Sequence, residues 1–173
     1  MKIYLVRHGE KEDETKDPPL TEKGERQINL LARRLKQEKV KVSKIYTTNY
    51  LRTIKTADII SKKLCLPVVR DDRLNELYSE FFYLPDVSVE HEMIFAVKTF
   101  VDELVSKKQD VILAMHGGIN RAIISHLTGI SLKEMRFFGM DFGSISLIEY
   151  TELMGKNIWR VKFLNDATHL KVP

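Results

Sequence analysis

Lys2-Ile3-Tyr4-Leu5-Val6-Arg7-His8-Gly9-Glu10 is the stretch on which the interpretation of this chain depends. Its β-branched and aromatic residues at 3–6 predict a short buried strand. Such a strand brings the guanidinium of Arg7 and the imidazole of His8 to the edge of a sheet, where Gly9 permits close approach of a ligand. A neutral imidazole can attack phosphorus, and arginine donates to phosphate oxygens. Taken alone, the pair is more typical of a strand-end histidine that only packs or hydrogen-bonds.

The composition indicates one globular domain over residues 1–173, with a hydrophobic content of 43% and a charged content of 30%. The single cysteine, Cys65, excludes an internal disulfide and a cysteine-rich zinc site, which favours a reducing, cytoplasmic location. Apolar runs stay well short of the roughly 20 residues of a membrane span, so we expect no membrane partner.

The net charge of +4 raises the hypothesis of a nucleic-acid binder. The basic residues between positions 33 and 44 are interleaved with Glu38 and fall mostly on a predicted helix and its exit loop. This pattern is typical of a solvated face, and no nucleic-acid-binding motif accompanies it. We therefore expect no nucleic-acid partner.

Strands alternate with helices along the chain, which predicts an α/β fold. The expected strands are 3–6, 43–47, 67–69 and 110–115, and the expected helices are 21–36, 51–64, 90–107 and 119–127. Segments 144–150 and 158–164 predict a closing antiparallel hairpin turned near 155–157. The fold class is thus a mostly parallel sheet with helices on both faces and a C-terminal hairpin, whose exposed strand could pair two subunits of a homodimer.

Two histidines share one sequence context, because His8 and His116 each follow an apolar strand and each precede a glycine. If the two strands are parallel, both imidazoles lie at the carboxyl edge of the sheet, where open α/β sheets bind ligands. The helix expected after Gly117 would direct its N-terminal N–H groups toward the same crevice, which favours an anion.

Arg52 and Glu76 are further candidates. Arg52 is expected about one turn into the helix after the second strand, and Glu76 follows the third strand. Transfer of a phosphoryl group to histidine expels an alkoxide that needs a proton, and a carboxyl group can supply it. Each residue alone is a weak signal, because surface arginines and loop carboxylates are common.

Six motifs in order resemble those of the histidine phosphatase superfamily, which has the phosphoglycerate mutase-like fold. They are Leu5–Glu10, Pro19–Gly24, Arg52–Ala57, Arg73–Glu76, His116–Gly118 with Arg121, and Gly143–Ser146. Because the resemblance covers nearly the whole chain, it is far more specific than any single motif.

The resemblance implies a role for each matched residue. His8 would be the nucleophile that becomes phosphorylated, with Gly9 helping to orient its ring, and Glu76 would protonate the leaving group. The implied phosphate pocket is formed by Arg7, Gly9, Arg52, His116 and Gly117, and the residues implied beside the substrate are Lys11 and Thr21. No metal or cofactor is expected, because arginines and a histidine supply the positive charge.

The chain also departs from the family pattern. Lys11 and Glu14 stand where many members carry a small hydroxyl residue and an asparagine, and Asn49 stands where a proline is usual. The expected function is a metal-independent phosphatase acting through phosphohistidine on small phosphomonoesters, with a phosphoprotein as an alternative substrate. Phosphoglycerate mutase and a non-catalytic phospho-ligand binding protein are the competing hypotheses.

Residues 77–89 are the expected cover of the site, and they are few. A short cover admits water, which favours hydrolysis over transfer to a second acceptor. The aromatic residues in this segment, Tyr78, Phe81, Phe82 and Tyr83, predict either an apolar wall for the leaving group or part of the core.

Overall fold

One six-stranded sheet organises the described part of the chain, which is residues 1–13, 16–76 and 92–171 of a computed structural model. Its strands are β1 (Lys2–Arg7), β2 (Lys44–Thr47), β3 (Val68–Arg70), β4 (Val111–Met115), β5 (Ile145–Leu153) and β6 (Lys156–Asp166). The α-helices of the described residues are α1 (Glu22–Gln37), α2 (Leu51–Leu64), α3 (Glu92–Ser106) and α4 (Gly117–Thr128).

The strand order is β3-β2-β4-β1-β5-β6. The pairs among β1 to β4 are parallel, and β5 pairs antiparallel with both β1 and β6. The predicted α/β class, with its mostly parallel sheet and C-terminal hairpin, is confirmed. The hairpin strands are longer than expected, because the connection is only Met154-Gly155 and both residues have positive φ.

Helices cover both faces of the sheet, as predicted. Successive side chains of β1 point alternately to the two faces. Ile3 and Leu5 join the buried cluster that includes residues of α3 and α4. Tyr4 and Val6 join the opposite cluster, which includes residues of α1 and α2. Burying such a side chain stabilises the fold by about 1.5–3 kcal/mol, so β1 is held firmly between the layers.

Side-chain caps fix where two helices begin. Thr21 accepts a hydrogen bond from the Gly24 N–H at 2.9 Å and is thus the N-cap of α1. At α2, the Asp17 carboxylate accepts from the Leu51 N–H at 2.9 Å. The helix therefore begins at Leu51, and Arg52 lies in its first turn rather than about one turn in.

The neighbouring strands β1 and β4 set the position of the crevice. Their register pairs Arg7 with Met115, so His8 and His116 follow at the same level. The helix after β1 packs on one face of the sheet and the helix after β4 on the other. Such a divergence opens a crevice at the carboxyl edge, where ligands bind in α/β sheets.

Some predictions concern residues outside the described part of the chain, and another is not tested by the structure. Glu14 and residues 77–91, with the four aromatic residues expected to cover the site, lie outside the described residues. β6 is an edge strand, and its pairing between two subunits stays a prediction. Among the described helices, none is long and apolar enough to cross a membrane.

Candidate active site

His8 is held in one tautomer by its neighbour. Its Nδ1 atom lies 2.8 Å from the carbonyl oxygen of Gly9, which can only accept a hydrogen bond. Nδ1 therefore carries the proton, and Nε2 keeps its lone pair. The side chain is buried, and burial, together with the nearby His116, lowers the pKa of His8 well below the usual value. His8 is thus neutral and presents a nucleophilic nitrogen.

His116 faces His8 across the crevice, with ring centroids 5.4 Å apart at an interplanar angle of 71°. Its Nδ1 atom lies 2.9 Å from Oε2 of Glu76, and its Nε2 atom lies 3.3 Å from Oγ1 of Thr48. Burial lowers the pKa of His116, although the hydrogen bond with Glu76 opposes the shift. The ring is therefore fixed at both nitrogens without needing a charge.

A chain of hydroxyl groups supports the His116 contact. Oγ1 of Thr48 lies 2.6 Å from Oγ1 of Thr53, which donates in turn to the Tyr50 carbonyl at 2.8 Å. Both threonines are buried. The turn between β2 and α2 thus determines where the His116 ring lies.

Two arginines supply the positive charge. The Arg7 guanidinium lies 3.9 Å from the ring of Phe142 and donates to the Met140 carbonyl, and the Arg52 guanidinium lies 4.4 Å from the ring of Tyr50. Within the described residues, Nε of Arg7 and both Nε and Nη1 of Arg52 are buried without a hydrogen-bond partner. Buried donors without partners are costly unless a ligand pairs with them. They fit the oxygens of a phosphate group.

Arg52 also lies beside two carboxylates. Its Nη2 atom is 3.6 Å from Oε2 of Glu76, and its Nη1 atom is 3.6 Å from Oδ1 of Asp17. The arginine is 6% exposed, so these contacts balance a charge that has little access to water. The five candidates Arg7, His8, Arg52, Glu76 and His116 therefore converge on one site.

The two glycines predicted at the phosphate differ in their surroundings. A Cβ atom on Gly9 would lie 2.4 Å from the backbone oxygen of Gly24, at the start of α1. A Cβ atom on Gly117 would meet only the side chains of Met140 and Arg7, at 3.4 and 3.5 Å. Gly9 is therefore needed for the packing of two backbone segments, whereas an alanine fits at Gly117.

Thr21 and Lys11 have structural contacts of their own. Oγ1 of Thr21 caps α1 and lies 3.2 Å from Oε1 of Glu10. The backbone of Lys11 forms an isolated bridge with Leu20, and its Nζ donates to the Asp13 carbonyl at 3.3 Å. The implied position of both residues beside the substrate stays a prediction.

Three side chains of the site, His8, Glu76 and His116, are of the types that bind metal ions. One ligand atom each from His8, Glu76 and His116 lies within 4.8 Å of the others. Two histidines and one glutamate are a common catalytic zinc ligand set. The adjacent Arg7 and Arg52 oppose a dication, and they fit a phosphate instead.

Sequence reasoning missed four residues of the site. Thr48, Tyr50 and Phe142 contact the two histidines or the two arginines of the candidate site, and Asp17 lies beside Arg52. Thr48 and Tyr50 shortly precede Arg52 in the sequence, and this proximity was the available signal. Asp17 resembled any other acid of a polar loop, and Phe142 carried no signal beyond its place before Gly143.

The geometry thus combines a neutral nucleophile, two arginines with unpaired donors and a carboxyl group hydrogen-bonded to a second histidine. A family model of the histidine phosphatase superfamily, branch 1, matches residues 3–82 and 90–167. The chain belongs to the histidine phosphatase superfamily. The predicted family is confirmed, and the matched residues include all five side chains that converge on the site.

Relatives of this histidine phosphatase carry two kinds of name. "Phosphoserine phosphatase 1" of Hydrogenobacter thermophilus is 30% identical, over 88% of each chain. "Probable phosphoglycerate mutase GpmB" of Cronobacter sakazakii is 28% identical, over 100% of this chain and 96% of the relative. A mycobacterial glucosyl-3-phosphoglycerate phosphatase solved with VO3 is 19% identical, with a TM-score of 0.75 over 95% of this chain and 98% of its own. This structural likeness confirms the phosphoglycerate mutase-like fold.

Proposed function

We propose that this histidine phosphatase hydrolyses phosphomonoesters without a metal ion, through a phosphohistidine at His8. The observation that carries the proposal is the tautomer of His8, whose Nδ1 proton is held by the Gly9 carbonyl at 2.8 Å. Nε2 is then the nucleophile, beside guanidinium nitrogens of Arg7 and Arg52 that have no hydrogen-bond partner among the described residues.

In the first step, Nε2 of His8 attacks phosphorus while the bond from phosphorus to the ester oxygen breaks. Glu76 gives its proton to the departing oxygen, which leaves as an alcohol. Arg7, Arg52 and His116 stabilise the charge on the transferred group. The products of this step are the alcohol and an enzyme with a new N–P bond.

In the second step, water attacks the phosphorus and the N–P bond breaks. The Glu76 carboxylate accepts a proton from that water, which restores its acid form, and inorganic phosphate leaves. His8 returns to the neutral state that burial favours. One carboxyl group thus serves as acid and then as base.

Hydrolysis is favoured over mutase activity by the length of chain near the acid. Only residues 77–91 connect Glu76 to α3, so little chain is available to exclude water from a phosphohistidine. We expect several small phosphomonoesters to be hydrolysed, with phosphoserine first among them because of the phosphoserine phosphatase relative. A phosphoprotein is the alternative substrate. Interconversion of 3- and 2-phosphoglycerate faster than phosphate release would favour the mutase instead.

The decisive experiment is to trap the intermediate. The protein is mixed briefly with a ³²P-labelled substrate, quenched in base and then tested for stability in acid. We expect a base-stable, acid-labile label on the native protein and none on His8→Ala. His126→Ala is the matched control, because His126 lies on α4 and pairs with the exposed Asp102. An acid-stable label, or full turnover by His8→Ala, would contradict the mechanism.

Chelation separates this proposal from a metallophosphatase built on His8, Glu76 and His116. Turnover should survive exhaustive dialysis against EDTA, because Arg7 and Arg52 supply the countercharge. Loss of activity in EDTA that zinc or manganese restores would assign the three side chains to a metal.

A further inference from the structure

The Met140–Phe142 segment, which precedes β5, holds the guanidinium of Arg7 through two contacts. The Met140 carbonyl accepts a hydrogen bond from Nη1 of Arg7, and Cζ of Arg7 lies 3.9 Å from the centroid of the Phe142 ring. Nε of Arg7 is buried and has no hydrogen-bond partner among the described residues. The direction in which this donor points therefore depends on where the segment lies.

Asn165 on β6 fixes the middle of the Met140–Phe142 segment. Its Oδ1 atom accepts a hydrogen bond from the Asp141 N–H at 2.6 Å, and its Nδ2 atom donates to Oδ2 of Asp141 at 3.0 Å. An amide can accept from the N–H and donate to the carboxylate at once, whereas a carboxylate in its place could only accept. The two groups that hold Arg7 thus flank a residue that Asn165 binds through both backbone and side chain.

The backbone of β6 is adapted to this contact. The pairing of β5 with β6 shifts register between Ile145 and Leu147, where β6 carries an extra residue. Asn165 lies in this bulge with a φ of 52°, a left-handed conformation that asparagine adopts more readily than most residues. Its N–H donates to the buried Oγ of Ser146 at 2.9 Å. A bulge re-aims the side chains of its strand, and this one brings the Asn165 amide to the Met140–Phe142 segment.

Gly143, the residue after the segment, is anchored separately. Its carbonyl oxygen lies 3.0 Å from Nε2 of His169, which therefore donates, and its N–H donates to the His8 carbonyl at 3.0 Å. The main chain of His8 is thus held through Gly143, and the side chain of Arg7 through Asn165. Loss of the Asn165 contacts should misplace Arg7 while His8 stays in position.

We propose that Asn165 is a positioning residue, which orients Arg7 toward the phosphate through the Met140–Phe142 segment. The inference rests on the proposed function, which assigns Arg7 to the phosphate. The side-chain amide of Asn165 binds Asp141 and its N–H binds Ser146. Neither partner is one of the five side chains that converge on the site, so the effect of Asn165 on the reaction passes through the segment.

Asn165→Gly tests the proposal, because glycine keeps the left-handed backbone and removes only the amide side chain. We expect the Kd of inorganic phosphate, measured by isothermal titration calorimetry, to rise about tenfold, since losing one hydrogen bond from a charged donor has about that effect. The value of kcat/KM for p-nitrophenyl phosphate should fall by about 10²-fold, because displacing a positioning group by about 1 Å can cost that much.

Met154→Gly is the matched control. It also removes a side chain at positive φ from the β5–β6 hairpin, but at the exposed turn between the strands. We expect the Kd and kcat/KM of this variant to equal those of the native protein. Native values in a folded Asn165→Gly protein as well would overturn the inference.

A double-mutant cycle shows whether Asn165 acts through Arg7. In an Arg7→Ala protein, adding Asn165→Gly should change the Kd of inorganic phosphate by less than about twofold, because the group that Asn165 positions is already gone. A further tenfold rise in that background would show that the two residues act independently. Asn165 would then only stabilise the fold, and the inference would be wrong.

A rescue experiment keeps the proposal testable if Asn165→Gly is poorly folded. Asn165→Asp retains an acceptor for the Asp141 N–H but places two carboxylates together, so phosphate binding should weaken. Adding Asp141→Asn supplies a donor to the new carboxylate, and the double variant should recover most of the native affinity. A double variant that binds phosphate no better than Asn165→Asp would contradict the proposal.

The outcomes separate this inference from the proposed function. Binding of inorganic phosphate needs no turnover, so the cycle and the rescue give an answer even for a protein that hydrolyses no ester. Turnover of p-nitrophenyl phosphate that depends on His8 tests the phosphatase itself. If that turnover is present while Asn165→Gly binds phosphate as the native protein does, the phosphatase stands and the role of Asn165 does not.

Discussion

The Nδ1 atom of His116 lies 2.9 Å from Oε2 of Glu76, with the imidazole fully buried and the carboxyl group 21% exposed. An imidazole nitrogen and a carboxyl oxygen at this distance share one proton, which resides on either partner. With the proton on Glu76, the carboxyl group can protonate a leaving alkoxide. With the proton on His116, the carboxylate can accept a proton from water, so the contact suits both steps of the proposed reaction.

Glu76→Gln should impair catalysis in proportion to the basicity of the leaving group. We expect kcat for ethyl phosphate to fall by about 10²–10⁴, which is the usual contribution of a general acid. The loss with p-nitrophenyl phosphate should be much smaller, because its phenolate departs without a proton. Equal losses on both substrates would make Glu76 a residue that only positions His116.

His116→Ala should retain a weak activity, lower by about 10²–10³, because His116 stabilises charge without forming a bond to phosphorus. Single-turnover kinetics should still show the acid-labile label, formed slowly. A complete absence of the label in a folded His116→Ala protein would assign the nucleophile to His116 instead of His8.

The pH profile should reflect the buried state of His8. Burial lowers its pKa from the ordinary value of 6.5, and only the neutral form is nucleophilic. The acid limb of kcat/KM therefore lies below pH 6.5, since His8 stays neutral as the pH falls through that value. The profile with p-nitrophenyl phosphate checks this, and an acid limb above pH 6.5 would show that His8 is not desolvated.

Gly9→Ala should lower stability through a backbone collision. Its Cβ atom would lie 2.4 Å from the Gly24 carbonyl oxygen, so the free energy of unfolding should fall by about 2 kcal/mol and Tm by about 4–8 °C. Gly117→Ala is the contrast, because its nearest contact of 3.4 Å is ordinary and Tm should barely change. Thermal unfolding of both variants checks the difference, and equal Tm values would contradict the close packing of Gly9 on α1.

The part of the site that the sequence predicts consists of residues tied to strand ends. His8 and His116 could be placed together because two apolar runs each end in histidine and glycine, and parallel strands carry their carboxyl ends to one edge. Arg52 was predictable as part of a helix start, because the apolar spacing predicts a helix from residue 51 and α2 begins at Leu51.

The contacts that tune the site were not predictable, because they depend on side chains from separate elements. Thr48 reaches His116 across 68 positions of sequence, and Asp17 reaches Leu51 across 34. No periodicity encodes such pairs. Phe142 likewise meets His8 and Arg7 only after β5 has paired with β1.

The pairing of β1 with β4 makes catalysis a reporter of folding. The backbone N–H of Lys2 donates to Oδ1 of Asp110 at 2.7 Å, across 108 positions of sequence, and the two histidines lie at the far ends of the same strand pair. Closing so long a loop is slow compared with forming local helices. During refolding, helical circular dichroism should therefore recover before phosphatase activity, and the interval between the two signals measures how long this central strand pair takes to form.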